Sequence, residues 1–184
     1  MDQTCILTAA LDPASFAWLD GLHRENFPPE RNFLPAHLTL FRTSAQTNCL
    51  EAFRLPAAPI PILFDAPLVL GFGVAFRIRS PELDRLRTAA RAAMGAFSRQ
   101  DSQPWRPHVT IQNNVTADAA RQLHHALARE FELRPGPVMS LLVREYLGGP
   151  WKLVRRLPFD HGVAACPRCN LKVLRRGMLQ ALAR

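Results

Sequence analysis

Two short stretches of this chain carry one pattern: His37-Leu38-Thr39-Leu40 and His108-Val109-Thr110-Ile111. A β-strand sends alternate side chains to opposite faces. In each copy the histidine and threonine therefore point one way and the two aliphatics the other. One face suits a core, and the other offers an imidazole beside a hydroxyl. A single histidine on such a strand is ordinarily a satisfied, half-buried polar residue. The pair changes the reading, because the two copies match in type at all four positions and each closely follows a proline, Pro35 or Pro107. Two such strands facing each other gather two imidazoles and two hydroxyls around one small volume. That set suits acid–base chemistry on a phosphate ester.

The elements that must position these residues follow from pattern and punctuation. Thr4 to Leu11 reads as a strand. Pro13 opens a helix to about Asn26 with Phe16, Leu19 and Leu22 on one stripe, ended by Pro28 and Pro29. A loop leads into the first motif strand, His37 to Phe41, and a short helical stretch is expected around Asn48 to Arg54. Strand-like runs cover Pro61 to Phe64, Leu68 to Gly71 and Gly73 to Arg79. Ser80 caps a helix with Pro81 at its first position, running to about Phe97. The second motif strand follows, then a helix from Thr116 to Phe131, a strand from Val138 to Leu147, a Gly-Gly-Pro turn and a returning strand from Trp151 to Phe159. The order strand, helix, motif strand occurs twice, with the histidines 71 positions apart. The expected fold is therefore α+β: a bilobal duplicated domain, two antiparallel sheets facing across a central groove, helices outside. Residues 1–159 form that domain, and residues 160–184 a basic C-terminal extension.

Composition narrows the function classes. With 184 residues and 48% hydrophobic content the chain supports a real core. No signal peptide is apparent, and the most apolar region, Ala57 to Phe76, is interrupted by Pro59, Pro61, Asp65 and Pro67, so no membrane helix is expected. Four cysteines without a secretory signal point to reduced thiols and a cytoplasmic protein. The net charge of +8 suits an anionic partner such as a nucleotide or nucleic acid. Gly71-Phe-Gly73 lacks the third glycine of a dinucleotide site. No Gly-Lys-Ser/Thr phosphate loop occurs, which argues against ATP-driven chemistry.

The paired H-x-T-x strands resemble those of the two-histidine phosphoesterase superfamily, and within it the bacterial 2'-5' RNA ligase-like proteins. ENFPPERNFLPAHLTLF is similar to that group's first motif region, WRPHVTIQN to its second and YLGGPWKLVRRLPF to its closing hairpin. The resemblance covers roughly residues 4–159. It implies metal-free, cofactor-free hydrolysis of a cyclic phosphodiester, commonly a 2',3'-cyclic phosphate, or the reverse joining of RNA ends through a 2'-5' linkage. It implies His37 and His108 as catalytic, with His108 as base and His37 as acid. Thr39 and Thr110 are then the phosphate-binding hydroxyls. The implied partner is an RNA end or nucleotide bearing a cyclic phosphate; the expected state of the chain itself is a monomer. A nucleotide- or RNA-binding module with the same groove and little turnover is the alternative from a different class.

Further residues are candidates by position. Arg106, two before His108, is a candidate phosphate clamp if alternation holds across Pro107; a solvated loop arginine is the competing reading. Phe41, two beyond Thr39, is a candidate base-stacking ring, against the commoner fate of core packing. Tyr146, Trp105 and Trp151 stand in the same position. His23, His124 and His125 read as solvated surface residues. Cys166-Pro-Arg-Cys169 with His161 supplies three ligand types where structural zinc wants four, so no metal site is expected. The tail's leucines and Met178 have rough helical spacing among arginines.

Overall fold

The computed structural model describes residues 5–43, 54–94, 98, 101–148 and 150–159. Its elements are β1 (Cys5–Leu11), α1 (Pro13–Asn26), β2 (Leu38–Thr43), β3 (Ile60–Val69), β4 (Val74–Arg79), α2 (Pro81–Met94), β5 (His108–Gln112), α3 (Ala117–Glu130), β6 (Arg134–Tyr146) and β7 (Trp151–Pro158). The helix starts are set as their caps dictate. Asp12 accepts from the amides of Ala14 and Ser15 ahead of α1, and Thr116 from Ala119 ahead of α3. The Ser80 hydroxyl takes the Leu83 amide and donates to the Pro61 carbonyl, which ties α2 to β3. The helix expected near Asn48 lies, but for Arg54, outside the described residues, as does the chain from 160 onward with Cys166, Cys169 and His161.

All seven strands belong to one antiparallel sheet in the order β1-β2-β5-β4-β3-β6-β7, and β6 pairs with β1 as well, so the sheet closes on itself like a barrel. This corrects the expectation of two sheets facing across a groove. The 13-residue β6 is long enough to hold β3 through Arg134–Val138 and β1 through Val138–Glu145. The motif strands β2 and β5 are neighbours, joined by the single pair Leu38–Val109. The runs at 61–64 and 68–71 are one strand, β3, despite two prolines. The Pro61 carbonyl is used by Ser80, and Pro67 falls beyond Phe64, the last residue paired to β6, where one flank of the strand carries no ladder.

The core lies on one face of the sheet. Leu38, Leu40, Phe41, Val109, Ile111, Phe76 and Phe64 are all fully buried there. Leu19 of α1, Leu83 and Ala90 of α2 and Ala120 of α3 close over them. Burial at roughly 25 cal/mol per Å² of apolar surface makes this face the main source of stability. The other face of β1, β2 and β5 is left to bear the polar residues.

Candidate active site

Both motifs break strand alternation at the same place. On β1, Leu7 pairs with Phe41 and Thr8 with Thr39, so Leu40 is an extra residue in β2. On β4, Val74 pairs with Gln112 and Ala75 with Thr110, so Ile111 is an extra residue in β5. A bulge of this kind sends two successive side chains to one face and flips the parity of everything after it. Phe41 and Gln112 consequently go to the buried side, and the next residues, Arg42 and Asn113, return to the polar side. Phe41 is completely buried, with the Arg87 guanidinium 4.6 Å from its ring, and does not border the cleft. The position two beyond Thr39 therefore packs, and the position three beyond it faces outward.

The polar face opens into a cleft of about 860 Å³ bordered by His37, Thr39, His108 and Thr110 together. Arg106 borders it too, exposed on the loop before β5. Each imidazole is held the same way. His37 Nδ1 lies 2.8 Å from the Pro35 carbonyl and His108 Nδ1 2.6 Å from the Arg106 carbonyl, each two residues back. A carbonyl only accepts, so Nδ1 carries the proton in both rings and each Nε2 keeps its lone pair free for a ligand.

Carboxylates hold the strand that presents His37 and Thr39. Asp20 on α1 accepts from the Ala36 amide at 3.1 Å, one residue before His37. Beyond the Leu38–Val109 pair, β2 parts from β5 and its free edge is taken up by side chains. Trp105 Nε1 donates to the Thr39 carbonyl at 3.1 Å, Arg87 Nε to the Leu40 carbonyl at 3.0 Å, and Asp101 receives the Arg42 amide on both oxygens at 3.0 and 3.1 Å. Arg87 is buried between Phe41 and Trp105 and bonds the Asp101 carbonyl as well. Arg87, Asp101 and Trp105 thus act as the missing ladder for β2. Trp105, a candidate stacking residue by sequence, has this role in the structure.

Electrostatics single out His37. Loss of water around its ring is the largest influence and pushes its pKa down to about 4. The Pro35 carbonyl opposes this, while the charges of Arg144, His23 and His108 add to it. His37 is therefore neutral in the empty cleft at neutral pH. Arg144 of β6 is close enough to act on it, and its own pKa is lowered by burial and then by Arg156. Its Nε is buried without a hydrogen-bond partner.

Sequence reasoning missed several residues of the cleft wall. His23 is buried, stacked on Phe27 at 4.5 Å, and borders the cleft instead of facing solvent. Its position four after Leu19 and four before Phe27 on a helical stripe is the signal that was available. Arg31, Arg42 and Asn113 also border the cleft. Among the described residues, no group of three or more His, Cys, Asp or Glu side chains is placed to hold a metal ion, and no helix is long and apolar enough to cross a membrane.

Residues 11–150 match the 2'-5' RNA ligase superfamily. No curated protein matches the chain. Among solved structures, TT0787 of Thermus thermophilus is similar at a TM-score of 0.62 and 13% identity, over 87% of this chain and 100% of that one. E. coli LigT complexed with NADP+ is similar at a TM-score of 0.53 and 18% identity, over 86% and 99% of the two chains. LigT complexed with 3'-AMP gives 0.53 and 13%, over 86% and 98%. At these identities the likeness is one of fold.

Proposed function

The chain belongs to the 2'-5' RNA ligase superfamily of two-histidine phosphoesterases, and we propose that it is a cytoplasmic, monomeric, metal-free phosphoesterase acting on a 2',3'-cyclic phosphate or 2'-5' phosphodiester of RNA ends or nucleotides. The observation that carries this reading is the matched pair of imidazoles. Both are fixed through Nδ1 to a carbonyl two residues back, and both border one cleft with a threonine two residues on. Cleavage needs one imidazole to take a proton from water and another to give one to the leaving oxygen. Thr39 and Thr110 donate to the non-bridging oxygens, where charge builds in the transition state. Arg42 and Arg106 add cationic edges for the phosphate. That LigT has been solved with 3'-AMP and with NADP+ supports a ligand of nucleotide type. The matching bulges in β2 and β5 support two halves of common origin.

The depressed pKa of His37 constrains the proton inventory. With His108 as base, His37 must be the acid, yet it is neutral in the empty cleft. Binding of the anionic phosphate must then draw a proton from solution onto His37, because an anion beside the ring offsets the repulsion from Arg144. Calorimetric titration with adenosine 2'-monophosphate in buffers of different ionisation enthalpy reads this as uptake approaching about one proton per complex near pH 6. Absence of uptake exchanges the two roles.

The function itself is tested with EDTA present, on nucleoside 2',3'-cyclic phosphates, an RNA oligomer ending in one, and a 2'-5' linked dinucleotide. A single phosphate isomer as product, lost in both His37→Ala and His108→Ala, supports the reading. Tight binding of these compounds without turnover establishes the binding module in its place, and joined RNA ends establish the ligase.

A further inference from the structure

A second groove, of about 490 Å³, lies between α1 and α3 and shares no residue with the histidine cleft. Trp18 and Leu22 of α1 form one wall, and Leu127 of α3 with Phe131 at its end forms the other. Each pair is four residues apart, so each stands on one face of its helix. All four side chains are only half-buried, and Leu133 beside them is 65% exposed. Glu130 and Glu132 stand on the rim, and neither is held in an ion pair among the described residues. Arg134 lies over the apolar wall, its guanidinium 4.5 Å from the Trp18 ring. The groove is therefore apolar inside and acidic at its rim. Apolar surface left open in a concavity with a polar rim marks a docking surface.

We propose that this groove receives the chain's own C-terminal segment, residues 171–184, docked as an amphipathic helix. That segment lies outside the described residues, and its sequence supplies the match. Leu171, Leu174, Met178 and Leu182 recur at intervals of three and four, the spacing of one helical stripe. An apolar groove accepts such a stripe. The same stretch holds Lys172, Arg175, Arg176 and Arg184 and no acidic residue. It complements the glutamates of this rim. The histidine cleft repels it, because Arg31, Arg42, Arg87 and Arg106 stand there against Asp101. The path of the chain fits as well. β7 runs antiparallel to β6, and the Phe159 amide donates to the Met139 carbonyl. The chain therefore leaves β7 heading toward the start of β6, where Arg134 borders the groove. From Met139 back to Arg134 is about 17 Å along a strand. Residues 160–170 can span up to about 36 Å, so the segment reaches the groove with the sheet intact.

The test uses the full chain and measures no activity, so it stands apart from the reading of the histidine pair. Lys152 and Lys172 are the only lysines, which makes a zero-length link between lysine and carboxylate specific. An equal mixture of unlabelled and heavy-nitrogen-labelled chain is treated with a carbodiimide and digested, and the linked peptides are read by mass spectrometry. Lys172 is expected to join Glu130 or Glu132 within a single chain. Hydrogen exchange supplies the second readout. Leu174→Asp alters the segment, and Leu133→Arg alters the rim at an exposed side chain; circular dichroism checks that each variant folds. Amides of residues 171–182 should exchange about tenfold faster in each variant than in the parent, the least expected for loss of one buried leucine contact. Links found only between differently labelled chains overturn the proposal in favour of a second copy. Absence of any link from Lys172 to the groove, or exchange that neither variant alters, overturns it outright. Protection of residues 171–182 that arises only when an RNA oligomer is added overturns it in favour of a nucleic-acid contact.

Discussion

Replacing His37 with glutamine should change how stability depends on pH. The His37 pKa is near 4 in the folded chain and near 6.5 when unfolded. Between these values the unfolded chain binds a proton that the folded one refuses. The stability His37 confers is therefore whole above about pH 6.5 and is lost as pH falls toward 4. Each pH unit in that window is worth about 1.4 kcal/mol. Moving from pH 7.5 to pH 5.0 crosses about 1.5 units of it, giving a ceiling of about 2 kcal/mol. The ring is only partly buried and the cleft is open to water, so about 1–2 kcal/mol is the expected loss. His23, whose pKa burial also lowers against the pull of Asp20, adds acid sensitivity of its own. It is present in both proteins and cancels in the comparison. Urea unfolding at pH 7.5, 6.0 and 5.0 reads the difference directly. The parent should lose about 1–2 kcal/mol more than His37→Gln across that range. Parallel curves refute the reasoning, because a histidine that does not resist protonation is neither dehydrated nor crowded by cations.

Other consequences follow from the same geometry. Arg144→Gln removes the leading positive charge acting on His37, so its NMR titration should move upward from about 4 while the fold is kept; an unmoved titration places Arg144 out of range. Asp101→Ala strips both acceptors from the Arg42 amide and leaves the nearby Arg87 with less compensation. A loss of about 2–4 kcal/mol in urea unfolding is expected, with weaker ligand binding as the bulged edge of β2 loosens. Gly73→Ala would drive its Cβ into the Gln112 carbonyl on β5, and soluble, folded protein should fall sharply. Gly21→Ala, inside α1 with open space around it, should gain about 0.5–1 kcal/mol.

The elements were largely legible in the sequence because their ends are marked by chemistry. Asp12-Pro13, Ser80-Pro81 and Thr116 carry the caps that start α1, α2 and α3. The motif residues were legible because alternation holds through His37, Leu38 and Thr39 and through His108, Val109 and Thr110. It fails one residue later in each copy. A bulge is set by register against the neighbouring strand, and neither Leu40 nor Ile111 differs in type from an ordinary strand residue. Phe41 therefore looked outward in the pattern and lies inward in the structure, while Arg42 and Asn113 gave no sign of reaching the cleft. Closure of the sheet was hidden for a related reason. It depends on β6 pairing on both edges, and Arg134-Pro-Gly-Pro reads locally as a turn and not as strand. Asp20, Asp101 and Arg87 could not be read as supports for β2 because their partners are backbone atoms 16 to 59 residues away.

The central claim is that His37 and His108 work on one phosphate as a unit, and a double-variant cycle on kcat/KM tests it most directly. Turnover of the preferred cyclic phosphate is measured with EDTA for the parent, His37→Ala, His108→Ala and the double variant. Each single change should cost about 10²- to 10⁴-fold, and the double variant should be little worse than the poorer single, because neither imidazole completes the reaction without the other. Losses that multiply in the double variant, or a single variant that keeps full activity, would contradict the account.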